Sequence, residues 1–434
     1  MYETAVKIVK KLRNAGYEAY FAGGCVRNKI LGKEAKDYDI ATNAIPDVVQ
    51  KMFPHTVAVG KAFGVVVVLE NNRQFEVATF RADGKYSDNR RPDCVTFSDY
   101  KSDILRRDFT INGIFYDPIE NKLIDIVGGG KDIKNRIICT IGNPIERFTE
   151  DKLRMMRAVR FSAQLGFVIE SETENAIRKL ANTITTISFE RIRDELRLIL
   201  LSDNRAEGLD MLYRLGLLKE ILPEIVAMDG VPQPPEFHPE GDVFTHTKLC
   251  LKNLDNPTFE LAMAALLHDV GKPPTFVVAD RIRFNAHEVV GERIAKKICH
   301  RLKLSNDDTE KICWMVVKHM TFKDITNMRE STLKRLLASK HYDNLEMLFV
   351  ADKLAADKDM SNYEYLKEMK AKFSVEDIRP EPLIGGKELI EMGFEPGPIF
   401  SVILDKVEDA QLEGKVKTCE EAIGFIREHF SDRI

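Results

Sequence analysis

The fold prediction rests on residues 17–42, which read Y-E-A-Y-F-A-G-G-C-V-R-N-K-I-L-G-K-E-A-K-D-Y-D-I-A-T. The aromatic and apolar segment Glu18–Phe21 predicts a buried strand, and the pair Gly23-Gly24 that follows it predicts a turn. A helical run then extends to Gly32. Because glycine lacks a side chain, the backbone of such a turn can approach phosphate groups at the start of the helix.

Two carboxylates follow this turn in the segment D-Y-D at residues 37–39. We predict that Asp37 and Asp39 lie on a second short strand, where residues two apart point to the same face. Such a pair suits Mg²⁺, which prefers oxygen ligands and substrate phosphates. An isolated Asp-x-Asp is common in solvated loops. However, the order strand, Gly-Gly, helix with Arg27 and Asp-x-Asp resembles the signature of the polymerase-β-type nucleotidyltransferases.

The composition indicates a globular protein of several domains. A chain of 434 residues is too long for one ordinary core, and 44% hydrophobic with 30% charged residues is typical of soluble proteins. No apolar run approaches the length of a membrane span, and the amphipathic start predicts a helix rather than a signal peptide. Seven cysteines without metal-site spacing predict reduced thiols in the cytoplasm. With a net charge of −4, contact with RNA must come from local patches.

Several strands are expected after Asp39. The predicted elements are a helix at Pro46–Met52 and strands at Thr56–Val59, Val65–Glu70, Phe75–Thr79, Val95–Phe97 and Ile114–Tyr116. The tight-turn pair Asn71-Asn72 predicts a hairpin between the second and third strands. Alternation places Glu76 on the face opposite the apolar residues of its strand, where it is either solvent-facing or a third metal ligand.

Two charged segments complete this part of the chain. Residues 81–92, R-A-D-G-K-Y-S-D-N-R-R-P, show no helical or strand period and predict a loop, which is either a plain surface loop or a lid. Residues 105–113, L-R-R-D-F-T-I-N-G, place two arginines beside Asp108 and Asn112. Guanidinium groups bind triphosphate oxygens, and an Asp or Asn can hold ribose hydroxyls. The segment therefore predicts nucleotide binding, with a salt-bridged turn as the alternative.

The pattern becomes helical from about residue 139. We predict a helix that begins at Thr149-Glu150 and carries a ridge of four side chains, Asp151, Arg154, Arg157 and Arg160. An Asp beside an Arg offers acceptors and donors along one edge, as recognition of a nucleobase edge requires. The segment E-R-I-R-D-E-L, residues 190–196, predicts a second helix start that braces the first.

Five motifs together resemble the class II tRNA nucleotidyltransferases, the CCA-adding enzymes, whose close relatives are the bacterial poly(A) polymerases. In chain order they are G-G-C-V-R, D-Y-D, R-R-D-F-T-I-N, E-D-K-L-R-M-M-R-A-V-R-F and E-R-I-R-D-E-L. The resemblance implies that Asp37 and Asp39 bind two Mg²⁺ and that Asp108 contacts the ribose. It assigns the rest of the nucleotide site to Gly23, Gly24, Arg27, Arg107, Asp151, Arg154, Arg157 and Arg160.

Within that site, the resemblance makes Asp151 and Arg154 the protein template that selects C or A. The family usually has an acid where this chain has Asn28, which weakens a local interaction and leaves the metal pair intact. The segment 81–92 resembles the family's flexible loop, which relatives that add only CC lack. Its presence favours full CCA addition.

A second site is expected beyond the proline-rich segment V-P-Q-P-P-E-F-H-P-E-G-D, which we interpret as a domain boundary. Six residues resemble the HD phosphohydrolase domain in order: His246, His268, Asp269 and Asp352 as metal ligands, with His287 and His319 nearby. A mixed imidazole and carboxylate set suits a divalent transition metal, Mn²⁺ or Mg²⁺ more than Ca²⁺. Each histidine by itself is more often a buried core residue.

The predicted organisation is α+β, with a polymerase-β-like head that contains a mixed sheet and an all-α remainder. The predicted domains are a catalytic head at 1–138, a base-selecting neck at 139–205, a body at 206–235, an HD domain at 236–375 and a tail at 376–434. The tail resembles the family segment that grips tRNA, although its residues alone predict a packed helical cap.

These patterns predict an enzyme that adds or repairs the 3′-terminal CCA of tRNA from CTP and ATP and releases pyrophosphate. Its partners would be the 3′ end and the acceptor and T arms of tRNA, with no membrane involved and no prediction of oligomeric state. One alternative is a poly(A) polymerase or an enzyme that adds only the terminal A. A second is a phosphohydrolase with an RNA-binding head, and a third is a non-enzymatic RNA-binding module.

Overall fold

The N-terminal part of the chain builds a mixed β-sheet, and helices dominate the remainder. The computed structural model describes residues 1–58, 63–84 and 95–431. These residues divide into two compact units, Met1–Val226 with Arg301–Lys303 and Ala227–His300 with Leu304–Ile434. The α+β class is confirmed, while the five predicted domain boundaries stay predictions.

The sheet and its flanking helices occupy the start of the first unit. Their elements are α1 (Tyr2–Asn14), β1 (Ala19–Ala22), α2 (Gly24–Ile30), β2 (Asp39–Thr42), α3 (Pro46–Met52), β3 (Thr56–Val57), β4 (Val65–Glu70), β5 (Arg73–Thr79), β6 (Arg81–Asp83), β7 (Val95–Phe97), α4 (Tyr100–Leu105), β8 (Ile114–Asp117), β9 (Lys122–Asp125) and α5 (Gly129–Asn135). The strand order is β3-β4-β5-β2-β1-β8-β9. Only β2 and β5 run parallel in this sheet.

Strand β1 is an interior strand of the sheet, and aromatic rings cover both of its faces. On one face Tyr20 packs with Phe80 and Phe115, each about 6.1 Å away between ring centroids. On the other face Phe21 lies 5.2 Å from the ring of Tyr38. All four residues of β1 are buried, and β2 and β8 pair with it on either side. The position of the turn after β1 is therefore fixed by a buried strand that is paired on both edges.

The predicted hairpin joins β4 to β5. Asn71 and Asn72 have φ of 52° and 56°, the left-handed pair that a tight two-residue hairpin turn requires. The ladder runs from Glu70 opposite Arg73 to Val65 opposite Ala78. The hairpin prediction is confirmed.

The loop predicted at 81–92 is wrong at its start. Residues Arg81–Asp83 form β6, which pairs antiparallel with β7 in a separate two-stranded sheet. The partner strand of β6 begins at Val95, and the local sequence of Arg81–Asp83 has no alternation that predicts a strand. Val59, Lys85, Arg90 and Arg91 lie outside the described residues.

Helices make up most of the rest of the first unit. They and two short strands are β10 (Ile137–Ile138), α6 (Pro144–Glu150), α7 (Leu153–Leu165), β11 (Val168–Ile169), α8 (Ser171–Leu180), α9 (Phe189–Leu200), α10 (Arg205–Arg214), α11 (Leu217–Ile221) and α12 (Pro223–Val226). The helix predicted to begin at Thr149-Glu150 is wrong, because those residues end α6. Asn143 caps α6 and extended Asp151 separates it from α7.

The second unit is helical apart from one hairpin. Its elements are α13 (Val243–Lys252), α14 (Phe259–Leu267), α15 (Lys272–Thr275), β12 (Phe276–Val278), β13 (Ile282–Phe284), α16 (His287–Arg301), α17 (Asn306–Lys318), α18 (Glu330–Leu337), α19 (Tyr342–Ala355), α20 (Ser361–Lys372), α21 (Val375–Ile378), α22 (Gly386–Glu391), α23 (Pro398–Leu412) and α24 (Cys419–Phe430). The last three helices share a core that includes Leu389, Ile403 and Ile426. Within the described ranges, every helix is too short or too polar to serve as a transmembrane span.

Candidate functional site

The turn after β1 brings a carboxylate and a guanidinium together. Gly23 has φ 72° and ψ −133°, a conformation that residues with a side chain rarely adopt. An ideal Cβ on Gly23 would lie 3.4 Å from Oδ2 of Asp39 and 3.6 Å from Nη1 of Arg107. The next residue, Gly24, opens α2, and a Cβ there would lie 3.6 Å from Nη2 of Arg27. Three side chains predicted to hold a nucleotide or metal, those of Asp39, Arg107 and Arg27, therefore surround the bare backbone of the two glycines.

Three acids lie close together at this turn. Asp39 is the first residue of β2, but Asp37 precedes the strand and is exposed, so the prediction of one strand carrying both is wrong. Because Ile40 pairs with Val77 in the parallel ladder, Asp39 and Glu76 are neighbours on adjacent strands. Burial, then the charges of Glu76 and Asp37, raise the pKa of Asp39 to about 6 against the opposing charge of Arg107. This crowded oxygen set fits a hard divalent cation such as Mg²⁺.

A chain of hydrogen bonds links the turn to α7. Asn112 accepts a bond from Nη1 of Arg27 at 2.8 Å and donates from Nδ2 to Oδ1 of Asp108 at 3.1 Å. Oδ2 of Asp108 accepts from Nε of Arg157 at 2.8 Å and lies 2.6 Å from Nη2. Burial alone would raise the pKa of Asp108, but Arg157 and Asn112 lower it to about 2. The carboxylate predicted to hold ribose is thus already engaged by protein groups.

The two arginines of residues 105–113 converge on one buried acid. Asp103 is 1% exposed and accepts from Nη2 of Arg106 at 2.7 Å and from Nη2 of Arg107 at 3.1 Å. The salt-bridged turn offered as an alternative is therefore present. It does not exclude nucleotide binding, since Nη1 of Arg107 also borders Gly23.

Two arginines of the α7 ridge and one arginine of α2 surround one aromatic ring. The guanidinium carbons of Arg27, Arg157 and Arg160 lie 5.3, 5.4 and 4.2 Å from the ring centroid of Phe161. Glu195 lies 3.3 Å from Arg160 and 3.8 Å from Arg157. Burial lowers the pKa of Arg160 to about 10, although Glu195 opposes the shift. The predicted bracing by residues 190–196 is confirmed.

The residues predicted to read the base lie where α6 meets α7. Asp151 accepts from Nη2 of Arg191 at 3.1 Å and from the backbone N–H of Leu153 at 3.1 Å. Arg154 is 7% exposed, and its Nη1 donates to Oε2 of Glu150 at 2.7 Å and to the carbonyl of Arg147 at 3.1 Å. Both side chains are held by protein partners that fix their direction.

In the second unit, four histidines turn the same ring nitrogen inward. Nδ1 of His268, His287 and His319 each bonds the backbone carbonyl three residues earlier, at 2.8, 2.9 and 2.6 Å. Nδ1 of His246 bonds Oε1 of Glu240 at 2.6 Å instead. The Nε2 atoms of His246 and His268 are 3.3 Å apart, and those of His287 and His319 are 3.2 Å apart. Imidazoles held at Nδ1 in this way present Nε2 to the same space, as a histidine that binds a metal would.

Two carboxylates complete this cluster. Oδ1 of Asp352 lies 2.8 Å from Nε2 of His246, and Oδ2 of Asp269 lies 3.2 Å from Nε2 of His268. Among the described residues, ligand atoms within 4.8 Å of one another form three groups of metal-binding size. Two consist of residues predicted from sequence, His246 with His268 and Asp352, and Asp269 with His287 and His319; the third joins His246 to Glu240 and His238. The six residues predicted from sequence are brought together, and the chemistry of the set fits a divalent transition metal or Mn²⁺.

Contacts within the cluster shift the pKa values of two of its histidines in opposite directions. Burial would lower the pKa of His246, but Asp352 and Glu240 raise it to about 9. Burial and the neighbouring His268 lower the pKa of His319 to about 3. The neutral His319 is in the state that a metal ligand requires.

Sequence reasoning missed four polar residues at this cluster. Nζ of Lys272 lies 2.6 Å from Oδ2 of Asp269 and donates to Oε1 of Gln233 at 2.6 Å. His238 and Glu240 belong, like Gln233, to the proline-rich segment that was interpreted only as a boundary. The signal was present in its polar residues, which directly precede the helix that carries His246.

Three family models match the parts of the chain that carry the two clusters. The family model described as "Poly A polymerase head domain" matches residues 19–139, and "Probable RNA and SrmB- binding site of polymerase A" matches 166–228. The model described as "HD domain" matches residues 243–357. The fold and the turn with its acids therefore define a nucleotidyltransferase with a poly(A)-polymerase-type head.

Individual relatives show which family of nucleotidyltransferases the chain resembles. The CCA-adding enzyme of Ligilactobacillus salivarius (strain UCC118) is 33% identical over 96% of this chain and 93% of its own length. That of Geobacillus sp. (strain WCH70) is 47% identical, but over only 50% of this chain and 54% of that enzyme. The Bacillus stearothermophilus CCA-adding enzyme in complex with CTP superposes with a TM-score of 0.78 at 28% identity over 99% of both chains. The chain belongs to the CCA-adding enzyme family.

Proposed function

We propose that this chain transfers nucleoside monophosphates from CTP and ATP to the 3′ end of tRNA and so restores the terminal CCA. The observation that carries the proposal is the convergence of Asp39 and Arg107 on the glycine turn. In the reaction the 3′-hydroxyl loses its proton to solvent and its oxygen bonds the α-phosphorus. The bond between the α-phosphorus and the oxygen that bridges it to the β-phosphate breaks, and pyrophosphate leaves. The CTP bound by the B. stearothermophilus relative supports a nucleoside triphosphate as substrate.

The residues near the turn divide the work of this reaction. Asp37 and Asp39 would hold two Mg²⁺, with Glu76 beside them as a third oxygen donor. When bound, these ions would lower the pKa of the 3′-hydroxyl and neutralise charge on the departing pyrophosphate. Arg107, together with Arg27 at the turn, would bind triphosphate oxygens in the orientation that their contacts with Asp103 and Asn112 set. The bare backbone of Gly23 leaves room for the phosphates.

Base selection falls to the junction of α6 and α7. Asp151 would accept from a base amino group, and Arg154 would donate to ring nitrogen or carbonyl oxygen, so the two residues would read one base edge. Arg157 and Arg160 flank Phe161 of the same helix and hold α7 to Glu195 of α9. Asp108 would reach a ribose hydroxyl only by giving up part of its contact with Arg157.

The experiment follows CTP and ATP incorporation into tRNA truncated before C, CC and CCA. The proposal expects addition to stop after the terminal A, in the order C, C, A. A long run of A would identify a poly(A) polymerase, and growth only from tRNA ending in CC would identify an A-adding enzyme. If neither nucleotide is incorporated, a non-enzymatic RNA-binding module is the remaining alternative for the first unit.

The second unit supports a second candidate activity, metal-dependent hydrolysis of a phosphate ester. This activity is supported by the convergence of four Nε2 atoms and two carboxylates in groups of metal-binding size. Hydrolysis of a 2′,3′-cyclic phosphate by an Asp39→Ala chain, lost on adding His268→Ala, is the expected result. Hydrolysis that survives His268→Ala would contradict it.

The remaining assignments concern partners and place. The tail, α22–α24, would contact the body of tRNA along its acceptor and T arms. A cytoplasmic location fits the free cysteines, of which Cys25, Cys250, Cys299 and Cys313 are buried thiols among the described residues. Footprinting of tRNA bound to the full chain and to a chain with substituted tail lysines tests the first assignment.

A further inference from the structure

The histidine that differs from its three companions is His246. His268, His287 and His319 take the acceptor for Nδ1 from the backbone of their own turn. His246 has an anionic acceptor instead, Oε1 of Glu240, at 2.6 Å. A carboxylate behind a ligating imidazole fixes the tautomer and makes the other nitrogen a stronger donor to a metal.

The segment before α13 is built to deliver Glu240 to this position. Asp242 caps α13 by accepting from the N–H of Thr245 at 2.8 Å and also accepts from the N–H of Gly230 at 2.6 Å. Gly241 has φ 117°, which lets the chain reverse between the cap and Glu240. The side chain of Glu240 is 7% exposed. The backbone of this segment therefore fixes the position of the Glu240 side chain.

Glu240 serves two imidazoles at once. Its Oε1 also bonds Nδ1 of His238 at 2.9 Å, and the rings of His238 and His246 meet edge to face with centroids 4.9 Å apart. Its Oε2 is buried and has no hydrogen-bond partner among the described residues. A buried anion with one oxygen left over is retained at a cost, which favours a role beyond packing.

We propose that Glu240 is a positioning residue that holds His246 with Nδ1 protonated and Nε2 aimed at Asp352 and His268. It thereby sets the metal affinity of the His246–His268–Asp352 group and leaves the Asp269–His287–His319 group unchanged. The inference rests on the proposed metal-dependent activity of the second unit. It predicts that two binding events on one chain respond differently to one substitution.

The test measures Mn²⁺ binding to the full chain by calorimetry and by the electron paramagnetic resonance of free Mn²⁺. All variants carry Asp39→Ala, so that the head site does not contribute. The parent is expected to bind two Mn²⁺, one at His246–His268–Asp352 and one at Asp269–His287–His319. Glu240→Gln, which keeps size and an acceptor, is expected to weaken one event by about 10- to 100-fold and not the other. Glu240→Ala should weaken the same event further.

Controls separate positioning from a structural role. Glu236→Gln removes an exposed acid of the same segment and is expected to bind like the parent. His319→Ala should abolish the event that Glu240→Gln spares. Circular dichroism and melting temperature check folding, and Glu240→Gln decides the matter if Glu240→Ala fails to fold.

Three results would overturn the inference. Parent-like binding by Glu240→Gln would make Glu240 a structural residue only. Equal weakening of both events would contradict its selectivity for one group. Absence of Mn²⁺ binding by the parent would remove the proposed metal-dependent activity itself, and is distinguished from the other two because it appears before any change at Glu240.

Discussion

Replacing Asp108 with Asn should destabilise the link between the turn and α7. The carboxylate is 10% exposed, lies 2.6 Å from Nη2 of Arg157 and accepts from Asn112 at 3.1 Å. Asn keeps the shape but removes the charge that Arg157 neutralises. The side chain of Arg157, which is 32% exposed, would then keep Glu195, at 3.8 Å, as its nearest ion-pair partner among the described residues.

The magnitude follows from the pKa of Asp108. Its fall from 3.8 to about 2 corresponds to about 2 kcal/mol of stability at neutral pH. Because the pKa is lowered on folding, this stability is present in full above the unfolded value. It is lost as the pH falls through the folded value. At pH 3 roughly half of it should remain.

Hydrogen–deuterium exchange of peptides covering residues 105–113 and 153–165 measures this effect locally. Two kcal/mol predicts about 30-fold faster exchange of Asp108→Asn than of the wild type at pH 7. The ratio should shrink at pH 3. Equal exchange at pH 7, or a ratio that grows toward low pH, would refute the reasoning, and Asp194→Asn on the exposed face of α9 is the control.

Three further predictions concern the sites themselves. Gly23→Ala should lose most nucleotide incorporation, because its Cβ enters the space before Asp39. Gly32→Ala also places an alanine at positive φ, 67°, but with open space around it, and should stay active, so equal losses of incorporation would contradict the prediction. Asp151→Ala should raise misincorporation between C and A more than it lowers rate, and Arg191→Ala should do so more weakly; unchanged selectivity would count against a template. Glu76→Gln should raise the Mg²⁺ concentration needed for half-maximal incorporation, and an unchanged requirement would show that Glu76 is only solvent-facing.

The glycine turn and its neighbours could be predicted because their signals are local. An apolar strand, a glycine pair and a helix follow one another within residues 17–32, and the structure reproduces that order. The strand with Asp39 was predicted too long, because its pairing with β1 begins only where Asp39 meets Ala22. No local pattern shows where a neighbouring strand ends.

Other contacts could not be read from sequence because they join distant segments. Asp108 and Arg157 are 49 residues apart, and only the folded chain brings them together. The break between α6 and α7 at Asp151 was not predicted. The pair Asn143-Pro144 is a good helix start and could have indicated that a separate helix begins there and ends before Asp151. Glu240 was missed because a run of prolines was taken as a boundary alone.

The central claim is tested most directly by one incorporation assay. The wild type and Asp39→Ala are given labelled CTP and ATP with tRNA that lacks CCA, and tRNA binding is measured in parallel. The account predicts ordered C, C, A addition by the wild type and none by Asp39→Ala, with tRNA still bound. Normal turnover by Asp39→Ala would contradict the assignment of the catalytic cations to the carboxylates at the glycine turn.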